Sequence, residues 1–237
     1  MFNLNCSSGA FCEHLRDAIA VNAKRKKLYA RMSANQSLWV SWALILLEKA
    51  AIMIAWLIDR KAEKFQKMGI PIIVNDFVPM QPLPSYDAAP LYSKQANKQI
   101  LRQIARDLKK YRKSINACLA KCQFIPAAKI SYEILQHIRQ IEKEHHCHFA
   151  MTRHLIESAG FAVLHAPLYA TASQGATTPL SKMLVRIQIF ALFGGLWLDK
   201  QAGVMHQMGI GIVVNDVPAI PFEEEFEELL SDAHGIS

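Results

Sequence analysis

Residues 10–76 recur at 150–216 without a gap. A shift of 140 positions lays Lys67-Met68-Gly69-Ile70-Pro71-Ile72-Ile73-Val74-Asn75-Asp76 over Gln207-Met208-Gly209-Ile210-Gly211-Ile212-Val213-Val214-Asn215-Asp216. The same shift pairs His14-Leu15 with His154-Leu155, Leu28-Tyr29-Ala30 with Leu168-Tyr169-Ala170, and Asp59 and Ala62 with Asp199 and Ala202. The identities number roughly 19 over about 67 positions, far above chance pairing, and such a gapless repeat reads as tandem duplication of one structural unit. A chain built this way is constrained to two pseudo-symmetric halves.

The unit reads helix, helix, strand. In the first copy a helix from Phe11 to about Ala30 ends in Lys24-Arg25-Lys26-Lys27, and Ser33-Ala34-Asn35-Gln36-Ser37 forms a turn. A long helix over 38–67 follows, closed by Gly69, whose freedom at positive φ suits a helix end. The β-branched run 70–74 predicts a short strand, ended by Asn75 and Asp76, residues that favour turns. The second copy repeats this order with a strand at 210–214 ended by Asn215 and Asp216. Gly160, Pro167, Gly175 and Pro179 are expected to shorten its first helix and loosen the connection over 160–180. The paired Asn-Asp ends are a repeated turn, with two equivalent binding spots as the costlier reading.

The chain therefore divides into repeat unit 1 (1–78), a proline-rich linker (79–92) holding Pro79, Pro82, Pro84 and Pro90, a basic helical hairpin (93–148), repeat unit 2 (149–220) and an acidic tail (221–237). In the hairpin, Ile100, Leu101, Ile104, Leu108, Tyr111, Ile115, Cys118 and Cys122 fall at three- and four-residue steps, predicting a helix over 93–122 with a narrow apolar seam. Pro126 opens the next helix within its first turn, where a missing N–H is harmless. Its stripe of Ile130, Ile134, Ile138, Ile141 and His145 continues through Phe149 and Thr152 into Leu155. The expected fold is mainly α with short β, two duplicated units bridged by the hairpin.

Charge is concentrated. Residues 93–122 carry Lys94, Lys98, Arg102, Arg106, Lys109, Lys110, Arg112, Lys113 and Lys121 against the single acid Asp107, in a chain of formal net charge +7. The tail runs the other way: Phe222, Phe226, Leu229 and Leu230 share one face of a short helix whose other positions are glutamates. So short a helix is marginal alone and needs a groove, either beside the Lys94–Lys113 face or on a partner. Phe222, Phe226, Leu229, Leu230, Lys109, Lys110 and Lys113 are accordingly the candidate partner-binding residues.

No catalytic motif is present. The chain lacks a Gly-x-Ser-x-Gly elbow and a glycine-rich phosphate loop. Glu142 and His145 stand in the Glu-x-x-His spacing of carboxylate-bridged metal bundles, yet such a site needs two of these motifs and two further glutamates. Cys118, Cys122, His145 and His148 could meet across the hairpin as zinc ligands, but Cys behaves as a small hydrophobe and His145 falls on the apolar seam. His14-x-x-Asp17 is echoed by His154-x-x-Glu157, and Asp59 by Asp199. The simpler reading makes the histidines internal hydrogen-bonding residues and the acids solvated. No metal and no cofactor are expected.

Five cysteines at irregular spacing argue against a disulfide framework, and no basic stretch followed by an apolar run opens the sequence. A cytoplasmic location is expected. Residues 38–58 match a bilayer in length, but Glu48 and Lys49 lie at their centre, and the duplicate, carrying Lys182, Arg186 and Gln188, leaves only 189–198 cleanly apolar. No stable membrane insertion is expected. These features point to a non-enzymatic interaction subunit, an adaptor or scaffold among other protein subunits of a larger assembly such as a secretion or conjugation complex. The alternatives are nucleic-acid binding by the basic 93–122 helix and a helical metalloprotein using the His/Cys run 142–148.

Overall fold

A computed structural model describes residues 46, 49–50, 52–58, 60–61, 64, 97–207, 220 and 222–235. The fold is mainly α, and no strand occurs among the described residues. Five helices are bounded: α1 (Lys98–Ala120), α2 (Phe124–His145), α3 (Ala150–Ala172), α4 (Thr178–Gln207) and α5 (Phe222–Gly235). The expected strands at 70–74 and 210–214, the repeated turn residues Asn75, Asp76, Asn215 and Asp216, and the linker 79–92 lie outside the described residues.

α1 starts where its backbone donors find an acceptor. The Asn97 side chain accepts from the N–H groups of Gln99 and Ile100, each at 2.9 Å, which satisfies two of the donors a helix start leaves orphaned. The helix thus begins at Lys98 rather than 93. Its seam buries Ile100, Ile104, Leu108, Tyr111, Ile115 and Leu119, while Cys118 is half-buried and Cys122 exposed. Cys122 takes φ 56°, and the Gln123 N–H reaches back to the Cys118 carbonyl at 2.9 Å, closing the helix end. α2 follows at once and folds back on α1. The buried Tyr111 hydroxyl pairs with Ser131 Oγ at 2.9 Å, and Ser131 donates to the Ala127 carbonyl, so the polar atoms inside the hairpin are satisfied.

α3 is the centre of the molecule, packed between α2 and α4 and touched by α5. From Ala150 to Ala166 only Arg153 is less than buried. The expected shortening does not occur: α3 runs through Pro167 to Ala172. A mid-helix proline costs about 3 kcal/mol, which burial of this many apolar side chains offsets. Nor is the connection loose. Ser173 Oγ pairs with Thr177 Oγ1 at 2.7 Å and accepts from the Thr177 N–H at 3.0 Å. Gly175, at φ +84°, donates its N–H to the Ala170 carbonyl at 2.6 Å. This left-handed position is one that glycine takes without strain.

α4 occupies the positions that a 140-residue shift assigns to the expected 38–67 helix. Gly195 lets it approach α3 closely, since a Cβ there would come within 2.8 Å of Leu155 Cδ1. The described residues between 46 and 64 are helical too. Their exposure agrees with that of α4 only in part: Leu46, Ala50, Met53 and Arg60 are exposed, as are Arg186, Phe190, Phe193 and Lys200, whereas Lys49 and Trp56 are exposed where Ile189 and Leu196 are buried.

α5 closes the core. Phe222 and Phe226 are fully buried against α2 and α3, with Phe226 at 5.2 Å from the Tyr132 ring. The outer end of the Phe222 ring abuts Gly160, where a Cβ would meet Cζ at 2.5 Å. Gly160→Ala should therefore lift the ring and cost about 1–3 kcal/mol, read as a lower urea midpoint with an unchanged slope. Full stability in that variant would show that α5 does not seat here.

Candidate functional site

The start of α3 lacks a cap of its own. Its N-cap, Phe149, offers no side-chain acceptor, and no acid lies in its first turn. Two carboxylates from elsewhere take that place. Glu142 in the last turns of α2 accepts the Phe149 N–H at 2.6 Å, and Asp199 of α4 accepts the N–H groups of Met151 and Thr152 at 2.9 and 2.8 Å and the Thr152 hydroxyl at 2.8 Å. Both acids are buried, and a negative charge at a helix N-terminus is favoured by the backbone dipole. The expectation that Glu157 and Asp199 are solvated is corrected: both are buried, and Asp199 is a capping residue.

Glu142 also holds a charge cluster together. Arg153 Nε donates to it at 3.1 Å and His148 Nδ1 lies at 3.4 Å. Burial opposes its charge, but the His148 hydrogen bond, the Arg153 charge and the Phe149 N–H outweigh this and hold the carboxyl below its ordinary value. Glu157 is one turn along from Arg153, with guanidinium nitrogens of Arg139 at 3.6 Å and Arg153 at 4.0 Å. For this carboxyl burial wins. Its pKa is pushed up to about 7, with Arg153 and Arg139 opposing and Glu223 adding to the rise.

The acidic tail completes the cluster. Glu223 pairs with Arg139 and accepts from Gln136 Nε2 at 2.8 Å. Glu225 meets His165 Nε2 at 2.8 Å, and Tyr132 donates its hydroxyl to Glu227 at 2.6 Å. The groove for α5 is thus made by α2 and α3 of the same chain, not by the basic face of α1. Phe222 and Phe226 are spent in this internal contact; Leu229 remains exposed and Leu230 packs partly against the core.

Lys109, Lys110 and Lys113 stand exposed on α1 with Lys98, Arg102, Arg106, Arg112 and Lys121. The single acid of that helix, Asp107, is turned toward the hairpin, bonded by Gln103 Nε2 at 2.8 Å and His137 at 3.3 Å, with Lys110 at 3.8 Å. The His/Cys run is dispersed. His145 and His146 are exposed, which corrects the placement of His145 on the apolar seam: α2 ends there with His146 at φ 50°, and Cys147 and Phe149 carry the core onward. Burial pushes the Cys147 thiol up to about 11, with Glu142 adding to the rise, so it is no ready nucleophile. No group of three or more His, Cys, Asp or Glu among the described residues is placed to hold a metal ion.

The cluster contains a near-neutral carboxyl, the usual requirement of a general acid or base. Glu157, however, is buried between two arginines under α5, and its neighbours are engaged in holding helices together. Sequence reasoning missed Glu142, Arg139, Arg153 and Glu157 as a unit; the only signal was acids and arginines recurring on one side of α2 and the start of α3. Comparison with known proteins gives no match, whether to a family model, a curated protein or a solved structure.

Two outcomes follow. Asp199→Ala strands two buried N–H groups and should cost about 1–3 kcal/mol in chemical unfolding, more than an exposed cap would. Glu157 keeps its proton in the folded chain between its ordinary 4.5 and about 7, where the unfolded chain has lost it. Its contribution is therefore full at low pH and falls as pH rises through that window. Glu157→Gln should flatten this part of the stability profile and be more stable than the parent above pH 7, by about 1–2 kcal/mol. An unchanged profile would place the titration elsewhere.

Proposed function

We propose that this chain is a non-enzymatic interaction subunit, an adaptor or scaffold in a larger cytoplasmic assembly, whose docking surface is the outer face of α1. The observation that carries this reading is the excess charge of that face: eight exposed cations against the one acid Asp107, with the chain's own acidic helix docked on α2 and α3 instead. Such a face favours an acidic protein segment and speeds its encounter. The buried ionisable groups support the same reading, because they cap α3 and clasp α5.

The duplication belongs to this proposal. Several helical residues between 46 and 64 match their α4 counterparts in exposure, and identities retained at a distance of 140 include Asp199 and Ser173, which make the cap of α3 and the turn that follows it. A tandem pair of similar units gives a scaffold two similar outer surfaces.

Nucleic-acid binding is the second reading, favoured by the same cations. Stacking aromatics are absent from that face, since Tyr111 is buried. Lys109→Glu with Lys110→Glu and Lys113→Glu separates the two. If the adaptor reading holds, the triple variant loses its co-purifying acidic protein partner at least about tenfold, while the parent shows little affinity for DNA or RNA at about 150 mM salt. Tight nucleic-acid binding with a steep salt slope would replace this reading with the second.

A further inference from the structure

α4 turns one stripe outward, at alternating steps of three and four residues: Met183, Arg186, Phe190, Phe193, Trp197 and Lys200. Phe190 is 62% exposed, Met183 50% and Phe193 38%, and Trp197 is half-buried. Large apolar side chains gathered on one stripe mark an interaction surface, whereas scattered ones would not. The stretch Thr178–Lys200 is also long and apolar enough to cross a bilayer, which the sequence expectation of a short ten-residue apolar core did not anticipate. Yet half of its most apolar window is buried inside the chain, and it holds the Asp199 cap of α3. It is built to lie against an apolar phase with one face only.

Charge selects the occupant. The acid of α4, Asp199, is turned inward onto Met151 and Thr152, so the charges beside the stripe are the cations Arg186, Lys200 and half-buried Lys182. A second copy would bring these like charges together across a twofold axis, which opposes self-pairing. Described helical residues between 46 and 64 also pair exposed apolar side chains with cations, in a stretch whose sequence adds the acids Glu48, Asp59 and Glu63. Leu46, Met53, Trp56 and Leu57 are exposed beside exposed Lys49, Arg60, Lys61 and Lys64, and the Arg60 guanidinium lies 5.5 Å from the Trp56 ring centroid. Aromatic and aliphatic side chains next to long cations suit a lipid interface. The rings enter the acyl boundary, while Lys and Arg reach back to headgroups.

We propose that the α4 stripe docks the protein peripherally on an anionic bilayer surface. This goes beyond the adaptor reading and uses a different face from α1.

The test is sedimentation of the full chain with vesicles of phosphatidylcholine alone and with about 30% phosphatidylglycerol, together with quenching of tryptophan by brominated lipid. Anionic vesicles should bind at least about tenfold tighter than neutral ones, with quenching. Phe190→Ser with Phe193→Ser, both at exposed positions and checked for an unchanged helical spectrum, should lose about tenfold in binding and most of the quenching; Arg186→Glu should lose the anionic preference. The Lys109→Glu, Lys110→Glu, Lys113→Glu variant should still be quenched, which separates this face from α1 whatever becomes of the adaptor reading. The proposal is overturned if the parent ignores anionic vesicles, or if the double serine variant binds and is quenched like the parent. A concentration-dependent dimer that the serine variant dissolves, with no vesicle binding, would assign the stripe to a second copy.

Discussion

The first backbone donors of α3 set the terms for the rest of the molecule. A helix buried on nearly all sides cannot turn its opening N–H groups to water, and an unsatisfied one costs about 1–3 kcal/mol. α3 meets this need with side chains borrowed from both neighbours, Glu142 from α2 and Asp199 from α4. Each carboxylate fixes a geometry as well as a charge. Glu142 holds the corner where α2 turns into α3, and Asp199 holds the register of α4 along α3, so the three-helix core is pinned at one end by hydrogen bonds and filled by side chains along its length.

The arginines are a consequence of those acids. Arg153 balances Glu142 and reaches Glu157, Arg139 reaches Glu157 and Glu223, and through Glu223 the chain of charge extends to α5. One member goes under-compensated. Burial of Glu157 exceeds what two partly shared guanidiniums return, whereas Glu142 is over-satisfied by three donors. Two carboxyls on successive helices, both touched by Arg153, are thus driven in opposite directions by their surroundings alone. Such divergence resembles that of catalytic pairs, but here the groups are enclosed by the helices they join.

What the sequence made legible was periodicity. The α1 seam from Ile100 to Ile115, Pro126 in the first turn of α2 and the extent of α4 all follow from local spacing, capping residues or the repeat. α3 was harder because a helix apolar on every side has no polar face to mark its phase, and Pro167 reads as a stop signal unless surrounding contacts are known. The caps at Glu142 and Asp199 were not legible, since Asp199 acts across 47 and 48 residues and nothing local distinguishes it from a solvated acid. His145 was misplaced for a related reason: it is the last residue of α2, and beyond the left-handed His146 the chain turns so that Cys147 and Phe149 continue the core instead. The amphipathic tail was legible as a docking helix, but its groove was not, because that groove is the absence of a side chain at Gly160.

That absence bears on synthesis. Ribosomes deliver α2 and α3 first, and the contacts that Glu223 makes with Gln136 span 87 positions. Until Phe222 and Phe226 emerge, nothing from α5 covers the surface around Gly160 and Tyr132, and exposed apolar surface on a partly assembled chain is the kind to which chaperones bind. Seating of α5 is therefore the step that removes this surface from such binding.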